Sequence, residues 1–415
     1  MKVTKIIRGD KTLWVVFLLL SIISLVGVYS AIGLEAYSHD SAGGPTGLFL
    51  RHLLIVAASW VIVAVCSRIN YRFFSRFAVL GLWVSIVLLA VTLMMGGRWL
   101  RIPLVNQFQP SEVAKIALVL FIARMLTLKK EQVADKGTFF SLLAYIVLVA
   151  AFVLPENFST AALLFVSCYL MLFFGGVDRK WWWRIMIVLV AGTAVGLAVA
   201  VNHYRSGEEK GKDGEVKTEQ LMERSSTWGH RLHSYFDDPD PTVITQENDA
   251  RIAVARGGVF GVGPGNTLYA RLMTQSHNDF IYAIIIEETG LVGGILVLVL
   301  YSFFYFRCVR LAWKCNGRFG ALTVAGLGTM IYLQALANMG VAVGVLPVTG
   351  QTLPFISYGG TAYLFLSFGM GIIQSVAAGV YENGEKRTKN EKLEKRNEES
   401  ENVENEMTIT DDTDK

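Results

Sequence analysis

The chain is short of charge. Asp, Glu, Lys and Arg make up only 17% of its 415 residues, whereas hydrophobic types make up 53% and the mean hydropathy is +0.44. Soluble domains carry about 25% charged residues, so an ordinary soluble globular protein is excluded and an integral membrane protein is implied. Cysteine is scarce too. Cys66, Cys168, Cys308 and Cys315 fall in apolar runs or beside basic connectors, which excludes a disulfide framework. The net charge of +4 is small and follows from those basic connectors, so no nucleic-acid partner is called for. Neither glycine-rich piece, "GGVFGVGPGN" or "GQTLPFISYGG", fits a Walker or dinucleotide pattern, and no nucleotide cofactor is expected. No soluble domain and no convincing internal repeat is visible, which weighs against the inverted-repeat carriers.

What the chain has is apolar runs of membrane-crossing length, or close to it, in ten places. The clearest are Leu13 to Ile32, Phe77 to Met95, Thr160 to Phe174, Ile185 to Val201 and Thr361 to Val380. Shorter or charge-interrupted ones are Leu53 to Cys66, Val113 to Leu128, Phe139 to Leu154, Phe280 to Phe306 and Leu322 to Val345. The expected fold class is an all-α membrane protein of about ten helices, with a large extracytoplasmic loop between helices 7 and 8. The first run is too long for a signal-peptide core and lacks a convincing cleavage site, so it reads as a helix. With both termini inside, the inner connectors hold seventeen Lys and Arg residues and the short outer ones hold three, Arg51, Arg98 and Arg101. That asymmetry sets the orientation.

Two segments break the pattern. Within a polytopic domain of residues 1–381, the extracytoplasmic loop 202–278 opens as a flexible linker. It continues into "WGHRLHSYFDDPDP" and "RGGVFGVGPGN", whose aromatics, Pro and Gly suggest an ordered cap. Residues 382–415 are polar throughout and read as a disordered cytoplasmic tail.

Ionisable groups inside spans are costly and usually face the bundle interior. Glu112 and Lys115, three apart at the start of the fourth helix, share a face and can pair. A structural ion pair and a role in binding an anionic headgroup stand about even. Pro110 and Ser111 offer a helix start. Upstream, Arg98, Trp99 and Arg101 are typical of a membrane interface. Asp279 sits at the outer mouth of the eighth helix, two residues after His277. It is either a helix cap favoured by the dipole or a general base in a half-dry site. Glu287 and Glu288, two turns deeper, are read as structural or cavity-lining.

Four stretches occur in order across the ten spans: "RWLRIPLVNQFQPSEVAK", "RGGVFGVGPGN", "SHNDFIYAIIIEETGLVGG" and "LPVTGQTLPFISYGGTA". Together they resemble the SEDS family (shape, elongation, division and sporulation). The resemblance implies a peptidoglycan glycosyltransferase that polymerises lipid II on the outer face of the cytoplasmic membrane with a class B penicillin-binding protein, alongside other division proteins. By the same resemblance, Asp279 in "HNDF" matches the family's catalytic Asp, with His277 beside it. Arg98, Trp99, Glu112 and Lys115 match its outer-loop and fourth-helix motif, Arg231 matches an Arg of the large loop, and Ser357 and Tyr358 belong to the closing motif. Arg98, Arg101 or Arg231 and a divalent cation, Mg or Mn, would hold the donor diphosphate.

The chain also departs from the family pattern. Asn157 stands in "ENFST" where an Asp is usual, and Thr274 and Gln275 replace a Pro-Glu pair. The N-terminal run, "TGQTLPFISYGG" and the charged tail resemble the division branch rather than the elongation branch, and "LPENFSTA" resembles Bacteroidetes members. The competing readings are an elongation-type polymerase, a lipid II flippase, and a catalytically silent scaffold for a division complex.

Overall fold

The computed structural model describes residues 8–35, 44–95, 99–100, 108–192, 246–269 and 278–382. All ten apolar runs are helical over most of their described length. They form α1 (Lys11–Glu35), α2 (Gly44–Arg68), α3 (Tyr71–Met94), α4 (Pro110–Leu128), α5 (Lys136–Val153) and α6 (Phe158–Phe174), then α7 (179–192). A short helix α8 (Gln246–Gly257) precedes α9 (Ile281–Lys314) and α10 (Arg318–Ala342), and α11 (Gly360–Glu382) closes the chain. Seven of these helices are long and apolar enough to cross a membrane. Among the described residues, the extended pairing is confined to one isolated antiparallel bridge between Leu100 and Phe108.

Local chemistry explains the helix starts. Pro110 occupies the first turn of α4, where its missing N–H costs nothing, and Gln109 rather than Ser111 is the cap residue. Asn157 caps α6: its side-chain oxygen accepts from Ser159 N at 3.0 Å and Thr160 N at 3.2 Å. That is the bond a free helix N-terminus lacks. An Asp would cap equally well, so this departure from the family pattern leaves the helix start intact.

The helices differ in what surrounds them. In α10 and α11, 72% of the spanning window is buried inside the protein, against 22% for α2, so α10 and α11 are central and α2 peripheral. Helix α4, polar at its start, is buried along nearly all its length between α3, α6 and α10. Helix α1 packs on α2 and α9, where a Cβ on Gly27 would lie 3.5 Å from Ile285 and 3.6 Å from Ile281. Deeper along α1, Ser24 Oγ donates to Ile356 O at 2.8 Å and pairs with His52 Nε2 at 2.9 Å.

The two ends of the bundle meet at one face. Arg8 pairs with Glu382. Buried Asp10 accepts from Arg307 Nε and Tyr381 OH, each at 2.8 Å, and caps α1 through Thr12 N at 2.8 Å.

Candidate active site

At the opposite face, α9 is two pieces. Gly290 has φ 72° and ψ −172°, a conformation open in practice to glycine alone. The break admits the glycine-rich loop that follows α8. Leu291 N donates to Gly258 O at 2.9 Å, Val262 N to Glu287 O at 2.9 Å and Gly263 N to Glu288 O at 3.0 Å. Both glutamates serve this docking. Glu287, fully buried, accepts from Arg256 Nη1 at 2.5 Å, from Leu268 N at 2.9 Å and from Thr267 Oγ1. Glu288 accepts from Gly265 N at 2.9 Å. The structural reading of this pair holds, and the two side chains fasten the loop to the first piece of α9, ahead of Gly290.

The first piece of α9 begins at Ile281. The cap position falls on Phe280, whose side chain makes no capping bond, so the half-buried Asp279 stands one residue ahead of the cap. Its Oδ2 lies 3.7 Å from where a Cβ on Gly350 would be, and Asn157 Nδ2 lies 3.8 Å from the same point. The carboxylate and the amide thus flank one glycine of the 343–359 connector, with Gly350 at φ 63°.

The connector is held by side chains. Ser357 Oγ donates to Asn278 O at 2.6 Å and accepts from Leu353 N at 2.7 Å. Asn338 Nδ2 donates to Asp279 O at 2.8 Å and to Gln351 O at 2.7 Å. Gln334 Nε2 donates to Thr352 O at 3.0 Å, and Gln351 Nε2 donates to Thr160 Oγ1 at 2.5 Å. Phe355 adopts φ 61°, costly for a bulky residue. Its neighbours hold it there: its ring lies edge-on to Phe17 at 5.4 Å, and Tyr301 OH donates to Pro354 O beside it.

Of the residues singled out in the sequence, Asp279 and Ser357 converge here through Asn278 O, while Tyr358, next in the connector, lies with its ring 5.5 Å from His52 of α2. Glu112 and Lys115 are buried and paired at 2.8 Å, and they join the site through Lys115 Nζ, which donates to Gln334 Oε1 at 3.2 Å. Trp99 is 46% exposed, as an interface anchor would be. Arg98, Arg101, Arg231 and His277 lie outside the described residues, as do the first part of the large loop and the tail beyond residue 382. Sequence reasoning missed Gln334, Asn338 and Gln351. The available signal was two amide side chains four apart inside an apolar run, sharing one helix face.

The donor set bears on the expected cation. Among the described residues, no group of three His, Cys, Asp or Glu could hold a metal ion, and the Asn157 oxygen is committed to capping α6.

A family model described as cell cycle protein (FtsW, RodA, SpoVE) matches residues 10–382. The probable peptidoglycan glycosyltransferase FtsW of Coxiella burnetii is 30% identical over 88% of this chain and 95% of its own length. The peptidoglycan glycosyltransferase MrdB of Escherichia coli K12 is 26% identical over 88% of this chain and 93% of its own. Among solved structures, one from a peptidoglycan synthase complex, described as coordinating polymerization and crosslinking, aligns with a TM-score of 0.67 and 23% identity over 90% of this chain and 98% of that one. The rod shape determining protein RodA of Thermus thermophilus aligns at 0.60 and 21% over the same shares. At those identities the two structures speak for the fold.

Proposed function

The chain belongs to the FtsW/RodA/SpoVE family, and from that premise we propose that it is a peptidoglycan glycosyltransferase of the division type, polymerising lipid II with Asp279 as general base. The observation that carries the assignment is the placement of Asp279: a half-buried carboxylate beside Gly350 and Asn157, with its backbone held from α10 by Asn338.

In the proposed step, the 4-hydroxyl of the acceptor GlcNAc gives its proton to the Asp279 carboxylate as its oxygen bonds the anomeric carbon of the lipid-linked donor. The bond from that carbon to the diphosphate breaks, and undecaprenyl diphosphate leaves with the electron pair. One displacement inverts the anomeric centre. A diphosphate leaves without protonation once its charge is balanced, so one base suffices where glycosidases need two carboxyl groups. The arginines Arg98, Arg101 and Arg231 are the charges proposed to balance it, and Trp99, His277 and Tyr358 are proposed as further substrate contacts. A divalent cation is read as arriving on the donor diphosphate.

The basic inner connectors support a topology with both termini in the cytoplasm, and the meeting of Arg8 with Glu382 at one face agrees with it. The division-type reading directs the protein to the septum. Its proposed partner is a class B penicillin-binding protein.

Full-length protein reconstituted with that partner and given labelled lipid II should make glycan strands, and Asp279→Ala should make none. Strands of undiminished amount from Asp279→Ala sink the base assignment. Lipid scrambling without polymer from the parent protein means transport instead.

A further inference from the structure

A base must be held as well as present, and the peptide ahead of α9 is gripped from outside its own element. Asn338 spends both hydrogens of one amide group on two carbonyls, Asp279 O at 2.8 Å and Gln351 O at 2.7 Å. It thereby ties α10, the entry to α9 and the 343–359 connector at a single atom. The residue is 1% exposed, and among the described residues its Oδ1 has no hydrogen-bond partner. An amide with an orphaned oxygen inside an apolar helix is a poor choice for packing alone, since a leucine would leave no oxygen unsatisfied there. Its retention makes sense where both N–H groups are needed.

One turn earlier on the same face, Gln334 holds Thr352 O at 3.0 Å and receives Lys115 at 3.2 Å. The Gln351 side chain reaches Thr160 on α6 at 2.5 Å, the helix that Asn157 begins. The segment 351–352 is therefore pinned to α6 and α10, and Asn338 is the link from it to Asp279.

We propose that Asn338 is a positioning residue for Asp279: by holding Asp279 O and Gln351 O with one amide group, it fixes the base relative to the Gly350 segment against which the carboxylate lies. The inference rests on the reading of Asp279 as the base. Transfer rates are steep in this geometry, because a displacement of about 1 Å costs on the order of 10²-fold.

The test uses the full-length chain with its penicillin-binding partner in lipid II polymerisation, with initial rates measured against lipid II concentration. Asn338→Leu keeps the volume and removes both donors without burying a charge, and Asn338→Ser keeps one donor. Asn338→Leu should lower kcat on the order of 10²-fold, with KM within about twofold, beyond what any fall of its unfolding midpoint accounts for. Asn338→Ser should fall between. Unchanged kcat in Asn338→Leu overturns the proposal, as does a fall of kcat in both variants that only tracks a fallen unfolding midpoint. Asp279→Asn, run in parallel, separates the two claims. If it remains active, the base reading fails; if it is inactive while Asn338→Leu keeps the parent's kcat, only the positioning role fails.

Discussion

Lys115 Nζ lies 2.8 Å from Glu112 Oε1, with side chains only 3% and 8% exposed, so this ion pair is shut inside the bundle. Its links run inward to Gln334. Removing one partner leaves the other charge buried and alone, at about 3–5 kcal/mol. Lys115→Met and Glu112→Leu should each lower the unfolding midpoint in detergent sharply, and the double variant should recover most of the loss. A double variant that folds as stably as the parent yet no longer binds lipid II would return the pair to a substrate-binding role.

The break in α9 should resist change. A Cβ on Gly290 would lie 2.2 Å from Val259 O, and one on Gly261 2.1 Å from Glu288 O. The backbone conformation at Gly290 alone costs a non-glycine about 1–3 kcal/mol, before the clash. Gly290→Ala should therefore reduce folded protein in membranes and loosen the 258–268 loop, which protease sensitivity of that loop would report.

Asn157 separates two effects. Asn157→Ala loses the α6 cap, about 1 kcal/mol, visible as a lower unfolding midpoint. Asn157→Asp keeps the cap but sets a second carboxylate near Asp279, and neighbouring carboxylates oppose each other's ionisation. The acid limb of its pH–rate profile should move to higher pH with the midpoint preserved. An unmoved limb would show that the two side chains do not sense each other.

Acid should unfasten the face where the chain's ends meet. Burial would raise the Asp10 carboxyl, but the hydrogen bonds from Tyr381 and Arg307, the Arg307 charge and the Leu13 N–H outweigh it and hold it below its ordinary 3.8. Its contribution is then fully present above 3.8 and is lost as the pH falls through the lowered value. Helix α8 responds in the opposite sense. Burial raises Asp249, and it raises Glu247 against the pull of Arg251, so α8 is held more firmly as the pH drops through those values. Unfolding midpoints followed between about pH 5 and pH 2 should fall less steeply in Asp10→Asn than in the parent.

The spans were legible because an apolar run long enough to cross lipid has few other uses. Their ends were less so. The α9 run was read to Phe306, but the helix continues to Lys314, since Arg307, Arg310 and Lys314 can keep charged heads at the interface while their backbone stays helical. The Glu112–Lys115 pair followed from its spacing. Gly290 did not, because a lone glycine in an apolar run looks the same whether it breaks the helix or packs in it. Asn338 and Gln334 were missed, since the carbonyls that their amides hold, Asp279 O, Gln351 O and Thr352 O, carry no sequence signature.

Helix α1 has a consequence for biogenesis. It is made well before α9, yet Gly27 faces Ile281 and Ile285, Asp10 meets Arg307, and the Ser24 hydroxyl reaches a carbonyl 332 residues later in the chain. Order of synthesis and order of assembly are therefore opposed. Helix α1 reaches its final packing only after α9 and the closing connector have been made, although its own cap on Thr12 N and the Ser24–His52 contact need only residues made early.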